Sequence, residues 1–319
     1  MNCLIGIDGG GSRTRTVLVD SSGNLLAGAL GGPANIQFLD KETFKITINS
    51  LLSELYASSR SSPRTVKALV AGFAGAGRPS DREIVGSVFD ELDLKDRHKI
   101  VTDMEIALYG AFRDEPGIIL IAGTGSAAFG RDAAGNLQRC GGWGYLVGDE
   151  GSGYYIGRTA VRYALQSYDT ILPATVLVDI ICKAFDLEAI DQIIPKIYSC
   201  AVSRIDIANL APAVLDAAAH GDEVALMIIE DAGKSLGKLV ETLLLRLNLE
   251  AKPVNMCLTG SIFNKREILL PHIMKNLRED VRLVDPQFPP VAGAVLLAFK
   301  QANITIDAEV EANLRKIRE

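Results

Sequence analysis

The chain has 319 residues, 48% hydrophobic and 23% charged, and a net charge of −6. That length suggests roughly two domains of about 150 residues, and an acidic balance with no long basic run argues against nucleic acid or an anionic membrane surface as partner. Five cysteines, at 3, 140, 182, 200 and 257, form no C-x-x-C pair and no Cys/His cluster, which speaks against a disulfide framework or structural zinc and for reduced thiols in the cytoplasm.

The N-terminus enters a strand pattern at once, with Asp8 inside it, so no secretory signal is expected. "CLIGI" (3–7) and "RTVLVD" (15–20) read as strands joined by a glycine loop, "SSGN" (21–24) as a turn, and "LLAGAL" (25–30) as a third strand. Residues 40–60 are helical in pattern, with Phe44, Ile48, Leu51, Leu52 and Leu55 on one face. "VKALVAGFAGAG" (66–77) is a buried strand entering a Gly-rich loop, and "DREIVGSVFDEL" (81–92) is a helix. "HKIVTD" (98–103) is a short strand, followed by the helix-like "MEIALYGAF" (104–112). Strands alternating with helices indicate an α/β domain.

The pattern then restarts. "GIILIAGTGSAAFGRDAAGNLQ" (117–138) repeats the order strand, G-x-G-S, strand and D-x-x-G-N-L found over 4–26. The two G-x-G-S serines, Ser12 and Ser126, lie 126 − 12 = 114 residues apart; the two turn aspartates, Asp20 and Asp132, lie 132 − 20 = 112 apart. The second loop-to-turn stretch is therefore two residues shorter, and a repeat of this period means two similar domains. Further helices are expected over 156–168, 174–185, 207–219 and 222–248. The most apolar region, about 223–249, carries Asp231, Lys234, Lys238 and Glu241, so it reads as an amphipathic or buried helix and not a membrane span. "VNMCLTGSIFNK" (254–265) is a strand with another glycine loop, 289–302 a helix after Pro290, and Ile306, Val310, Leu314 and Ile317 are spaced for a tail helix.

The first loop is not a P-loop, since no G-x-x-x-x-G-K-[ST] occurs, and a strand follows it where the dinucleotide fingerprint needs a helix. Such a hairpin points several backbone N–H groups at one spot, an anion nest. Gly10 and Gly11 supply backbone, while Ser12, Arg13 and Thr14 add side-chain donors. "AGTGS" repeats the offer with Thr124 and Ser126. One hairpin per domain can grip a polyphosphate in a central cleft. Asp8 at the end of the first strand would repel phosphate unless a cation intervenes, so it reads as a Mg²⁺ ligand, direct or through water.

These motifs resemble the actin/Hsp70/sugar-kinase superfamily, and within it the N-acetylglucosamine kinase group of the BadF/BadG/BcrA/BcrD ATPase family. "GIDGGGSRTRTVLVD" looks like the first phosphate motif, "IAGTGSAAFG" the second, and "LTGSIFNK" the adenosine motif. "TDMEIALYGA" and "PVAGAVLLA" look like the two connecting helices, and "CGGWGYLVGDEGSGYYIG" (140–157) is the most specific block. The resemblance implies an α/β fold of two ribonuclease-H-like (actin-like ATPase) domains around a central cleft. The expected boundaries are 1–116 with a C-terminal helix at about 303–319, and 117–302. It also implies a cytoplasmic homodimer that uses ATP and Mg²⁺ to phosphorylate the 6-hydroxyl of N-acetylglucosamine or a close relative. N-acetylmuramate and glucosamine are the alternative substrates.

By the same resemblance Asp103 is the general base; its plain alternative is a helix N-cap. Asn35 matches the asparagine that contacts sugar hydroxyls, and Gly125 and Ser126 lie where phosphate motif meets sugar. Trp143, the only tryptophan, offers a flat face to a pyranose or its acetamido methyl, with Gly144 beside it. Asp149 accepts from sugar hydroxyls, while Glu150 caps the following helix. Gly260 admits adenine or ribose close to the backbone, and Arg13 touches phosphate or solvent. Two other classes compete: an iron–sulfur ATPase activator of a dehydratase, whose second phosphate motif would carry Gly-Gly-Gln-Asp, and a non-catalytic sugar or ATP sensor.

Overall fold

A computed structural model describes residues 2–199, 201–249 and 253–317. The chain divides into two compact units, one made of residues up to Glu115 together with those from Asp285 on, the other of Pro116–Val284. Among the described residues no helix is long and apolar enough to cross a membrane. Cys3, Cys140, Cys182 and Cys257 form no disulfide; Cys200 lies outside the described residues.

In the first unit β1 (Cys3–Gly9), β2 (Thr14–Asp20) and β3 (Leu25–Gly31) form an antiparallel meander. Helix α1 (Lys41–Ser59) leads to β4 (Val66–Phe73), α2 (Pro79–Glu91), β5 (His98–Thr102) and α3 (Asp103–Phe112), and β4 and β5 add to β1 in parallel. The sheet order is β3-β2-β1-β4-β5. Strand alternation sends Cys3, Ile5 and Ile7 to one face, where they meet Phe44, Ile48 and Leu52 of α1 and Val85, Val88 and Phe89 of α2. Leu4 goes to the other face with Ile106 and Tyr109 of α3. Burial on both faces explains why β1 and β4 read as nearly unbroken apolar runs.

The second unit repeats the plan. Strands β6 (Gly117–Ala122), β7 (Ser126–Arg131) and β8 (Leu137–Gly141) form the antiparallel meander, followed by α4 (Gly153–Tyr168), α5 (Leu177–Phe185), α6 (Ile193–Tyr198), α7 (Arg204–Ala208), α8 (Ala211–Ala219) and α9 (Glu223–Arg246). Strands β9 (Val254–Thr259) and β10 (Val281–Leu283), with α10 (Arg266–Met274) between them, complete a sheet of order β10-β9-β6-β7-β8. The repeat extends to hydrogen bonds. Asp20 Oδ1 accepts from the Ser22 and Asn24 amides, both at 2.9 Å; Asp132 Oδ1 accepts from Ala134 and Asn136 at 2.9 and 2.8 Å. Gly23 and Gly135 take the left-handed position in each turn, with φ of +78° and +88°.

Helices α11 (Pro290–Gln301) and α12 (Ala308–Leu314) return to the first unit. This differs from the expected boundary at 302: α11 packs on β1 and α3 and not in the second unit. A Cβ at Gly6 would stand 2.6 Å from Val295 Cγ2 and 2.7 Å from the Val291 carbonyl, and one at Gly293 would stand 2.1 Å from the Ile106 carbonyl. The missing side chains let strand and helices approach this closely. Because α11 is buried nearly all round, its periodicity does not name the sheet it covers.

Candidate active site

The first hairpin closes with Gly9 opposite Thr14, leaving residues 10–13 at its tip. The Gly10 amide donates to the Arg13 carbonyl at 2.9 Å, and the Gly10 carbonyl accepts from Ala34 at 3.1 Å. Gly9 is the packing glycine: a Cβ there would fall 2.1 Å from the Phe73 ring. At Gly11 a Cβ would meet nothing within 4 Å, and Ser12 and Arg13 are exposed. Asp8 sits opposite Arg15 in the ladder. Asp8, Arg13 and Arg15 line one small pocket with Pro289, Pro290 and Val291. Two guanidiniums and one carboxylate suit an anion that brings its own cation.

Among the described residues no group of three or more His, Cys, Asp or Glu is placed to hold a metal unaided. A single carboxylate nevertheless fits Mg²⁺, which keeps several waters and takes other ligands from substrate phosphates.

Asp103 is the first residue of α3, but it does not cap the helix. Thr102 is the N-cap, its hydroxyl accepting from the Glu105 amide at 3.1 Å while Glu105 Oε1 accepts from the Thr102 amide at 3.2 Å. This capping box relieves Asp103 of the structural duty expected as its alternative role. Its carboxylate accepts from the adjacent Met104 amide, at 3.0 Å. Burial pushes that carboxyl up to about 6, against the opposing pull of the Met104 and Asp103 amides. Asn35 heads an Asx turn, its Oδ1 accepting from the Gln37 amide at 2.9 Å and its Nδ2 left as a donor.

In the second unit, Gly125 makes room for Asp149: a Cβ there would stand 2.7 Å from Asp149 Oδ2. Asp149 is 7% exposed and has φ +61°, a left-handed conformation that costs most residues energy. Its Oδ1 accepts from the Gly144 amide at 3.3 Å. Burial raises its carboxyl, while the Gly144 and Ser126 amides and the Arg204 guanidinium oppose the rise. Gly141, Gly142 and Gly144 all have positive φ, at +77°, +70° and +93°, so "GGWG" is a backbone requirement that turns Trp143 outward. Trp143 is 69% exposed, with the Arg139 guanidinium 4.4 Å from its ring centroid.

Ser126 is not at the hairpin tip. Ala122 pairs with Ser126, so only residues 123–125 turn, and the Ser126 hydroxyl donates to the Glu150 carbonyl at 2.7 Å. Thr124 lies in that turn, half-buried, its carbonyl accepting from the Tyr154 amide at 3.4 Å. Glu150 does not cap α4 either: buried Ser152 does, accepting from the Tyr155 amide at 3.1 Å. Gly260, at φ +110°, brings the turn after β9 against the second hairpin, where a Cβ would stand 2.3 Å from the Ala122 carbonyl.

Sequence reasoning missed Arg139, Arg204 and the Thr102–Glu105 box. Only the box had a local signal, since Thr102-x-x-Glu105 is the capping pattern itself. The two arginines lie four residues before Trp143 and far beyond Asp149, and only the fold brings Arg204 over Tyr145, 5.4 Å from its centroid.

Two mixed five-stranded sheets, each opened by a glycine-tipped hairpin and flanked by helices, are consistent with two ribonuclease-H-like domains of the actin-like ATPase class. The chain belongs to the BadF/BadG/BcrA/BcrD ATPase family, whose model matches residues 5–298. It is 33% identical to an N-acetylmuramic acid/N-acetylglucosamine kinase of Clostridium acetobutylicum, over 95% of this chain and 100% of that one. It is 30% identical to an N-acetyl-D-glucosamine kinase of Dictyostelium discoideum, over 93% and 97%. The solved structure of a proposed N-acetylglucosamine kinase from Chromobacterium violaceum matches with TM-score 0.77 and 26% identity, over 93% of this chain and 99% of that one.

Proposed function

We propose that the protein is an ATP-dependent kinase that phosphorylates the 6-hydroxyl of N-acetylglucosamine or N-acetylmuramate. Asp103 carries this reading: a partly buried carboxylate at a helix start, relieved of capping and poised near 6, suits a general base at neutral pH. Asp103 accepts the sugar hydroxyl proton as the oxygen attacks the γ-phosphorus and ADP leaves. Phosphoryl transfer otherwise needs positioning and charge neutralisation more than covalent help. Gly10, Gly11, Ser12 and Arg13 at the first hairpin, with Thr124 at the second, serve the phosphates, and Gly260 lets the backbone meet the nucleoside. Asp8 would hold Mg²⁺, whose charge offsets that of the phosphates. Asn35, Gly125, Ser126, Gly144 and Asp149 contact the sugar, Ser126 through its backbone, since its hydroxyl is engaged within the unit. Trp143 covers an apolar sugar face. Similarity to the two amino-sugar kinases above supports the substrate class. We place the enzyme in the cytoplasm as a homodimer.

The test is ADP release, with Mg²⁺ and ATP, across N-acetylglucosamine, N-acetylmuramate, glucosamine, N-acetylmannosamine and glucose. Turnover is expected with the first two above the rest. No turnover with any amino sugar would sink the reading.

A further inference from the structure

We propose that Arg82, remote in sequence from every motif above, is a positioning residue that locks the Asp103 and Asn35 segments into one register. The inference rests on the reading of those two residues as sugar contacts. Arg82 lies in α2 and uses both ends of its fork. Nε donates to the Ala76 carbonyl at 2.9 Å, and one terminal nitrogen donates to Glu105 Oε1, also at 2.9 Å. The second bond reaches the start of α3. The same Glu105 oxygen accepts from the Thr102 amide at 3.2 Å and from its hydroxyl at 3.3 Å, so Arg82 holds the acceptor that closes the capping box, one residue before Asp103.

The first bond reaches the other segment. Ala76 follows Gly75, which has φ +85° and no room for a side chain: a Cβ would stand 2.5 Å from Asn35 Oδ1. The Gly75 carbonyl accepts from Gln37 Nε2 at 3.1 Å. The loop Arg82 grips is thus the floor on which the Asn35 turn rests. A planar fork can serve a carbonyl and a carboxylate at once in fixed geometry; a lysine ammonium cannot copy it.

The Arg82 side chain is 38% exposed, so the ion pair itself adds little stability. A role confined to folding and a role in positioning therefore predict different results. The experiment compares Arg82→Met, Arg82→Lys and Glu105→Gln with the unaltered chain, reading steady-state kinetics, thermal midpoints and amide hydrogen exchange. Arg82→Met should lower kcat/KM for the amino sugar about tenfold or more, as a displaced base and contact demand. KM for ATP should stay within about twofold, since a substrate-specific loss is what misplaced sugar contacts produce. The thermal midpoint should fall by no more than about 3 °C. Arg82→Lys should be intermediate. Glu105→Gln, which keeps the oxygen acceptor, should remain within about threefold of the unaltered chain.

Independently of any activity, amides at 35–38 and at 102–106 should both exchange faster in Arg82→Met. A kcat/KM within twofold of the unaltered chain, a loss shared equally by ATP, Glu105→Gln as damaging as Arg82→Met, or faster exchange in only one segment would each overturn the proposal. An unaltered chain inactive on all amino sugars would instead remove the kinase reading, and the exchange result would then decide on Arg82 alone.

Discussion

The two glycine hairpins are near copies in sequence but do different work. The first ends its strand on Asp8, carries four tip residues and leaves Ser12 and Arg13 exposed. The second has Ala122 where the repeat places Asp8, turns in three residues, and is occupied by its own unit: Asp149 fills the space beside Gly125, and the Gly123 carbonyl accepts from the Gly153 amide at 2.7 Å. The stretch from serine to turn aspartate is two residues shorter in the second copy, which puts Ser126 in the ladder where the first hairpin has Thr14, so serines that align as letters do not align in space. A repeat shows a shared frame; the contents of each copy must be read separately.

The largest expected effect breaks this asymmetry at the acids of the first unit. Asp103→Asn should lower kcat on the order of 1,000-fold, the scale of a lost general base, with sugar binding still measurable by calorimetry. The same change should raise the thermal midpoint at pH 8. The sign follows from the carboxyl sitting near 6 in the folded chain against 3.8 unfolded. Above 6 the fold carries a charge it would rather neutralise, and stability rises as pH falls from about 6 toward 4. For the unaltered enzyme, kcat/KM should accordingly fall below an apparent pKa near 6 as the base takes up its proton.

Next in size is Asp8→Ala, expected to lower kcat on the order of 100-fold by removing a charge-organising contact on the transferring group, and to raise the Mg²⁺ concentration needed for half-maximal rate. Adding Ala122→Asp should not rescue it. Rescue in a magnesium titration would show the hairpins to be interchangeable. The smallest effect contrasts two glycines. Gly125→Ala should destabilise the chain by about 1–3 kcal/mol through overpacking against Asp149. Gly11→Ala, with open space around it, should change stability by no more than about 0.5 kcal/mol. Denaturant midpoints for both variants check the contrast.

Much of the frame was legible in the sequence because its signals are local. The D-x-x-G-N-L turns specify their own Asx hydrogen bonds, and all five apolar positions predicted on α1 are buried. What escaped depends on distance. β10 is three residues, Val281–Leu283, with Arg282 in the middle, too short to show alternation. The unit covered by α11 depends on Gly6 and Gly293, which no helical period reveals. Among the candidate residues, types were legible and duties were not. Asp103 and Thr102 are neighbours at a helix start, and only the hydrogen bonds say which one caps. Asp149 and Glu150 are neighbours in a turn, and only the left-handed φ of Asp149 carries its carboxylate beneath Gly125.

The outward turn of Trp143 gives the protein an optical reporter of its own. It is the chain's only tryptophan, so selectively excited emission comes from one loop and nowhere else. An indole 69% exposed and stacked on Arg139 emits from a wet, cationic setting. Anything that settles on that loop changes the colour and the yield of the light, so occupancy of the loop can be followed in real time without a label.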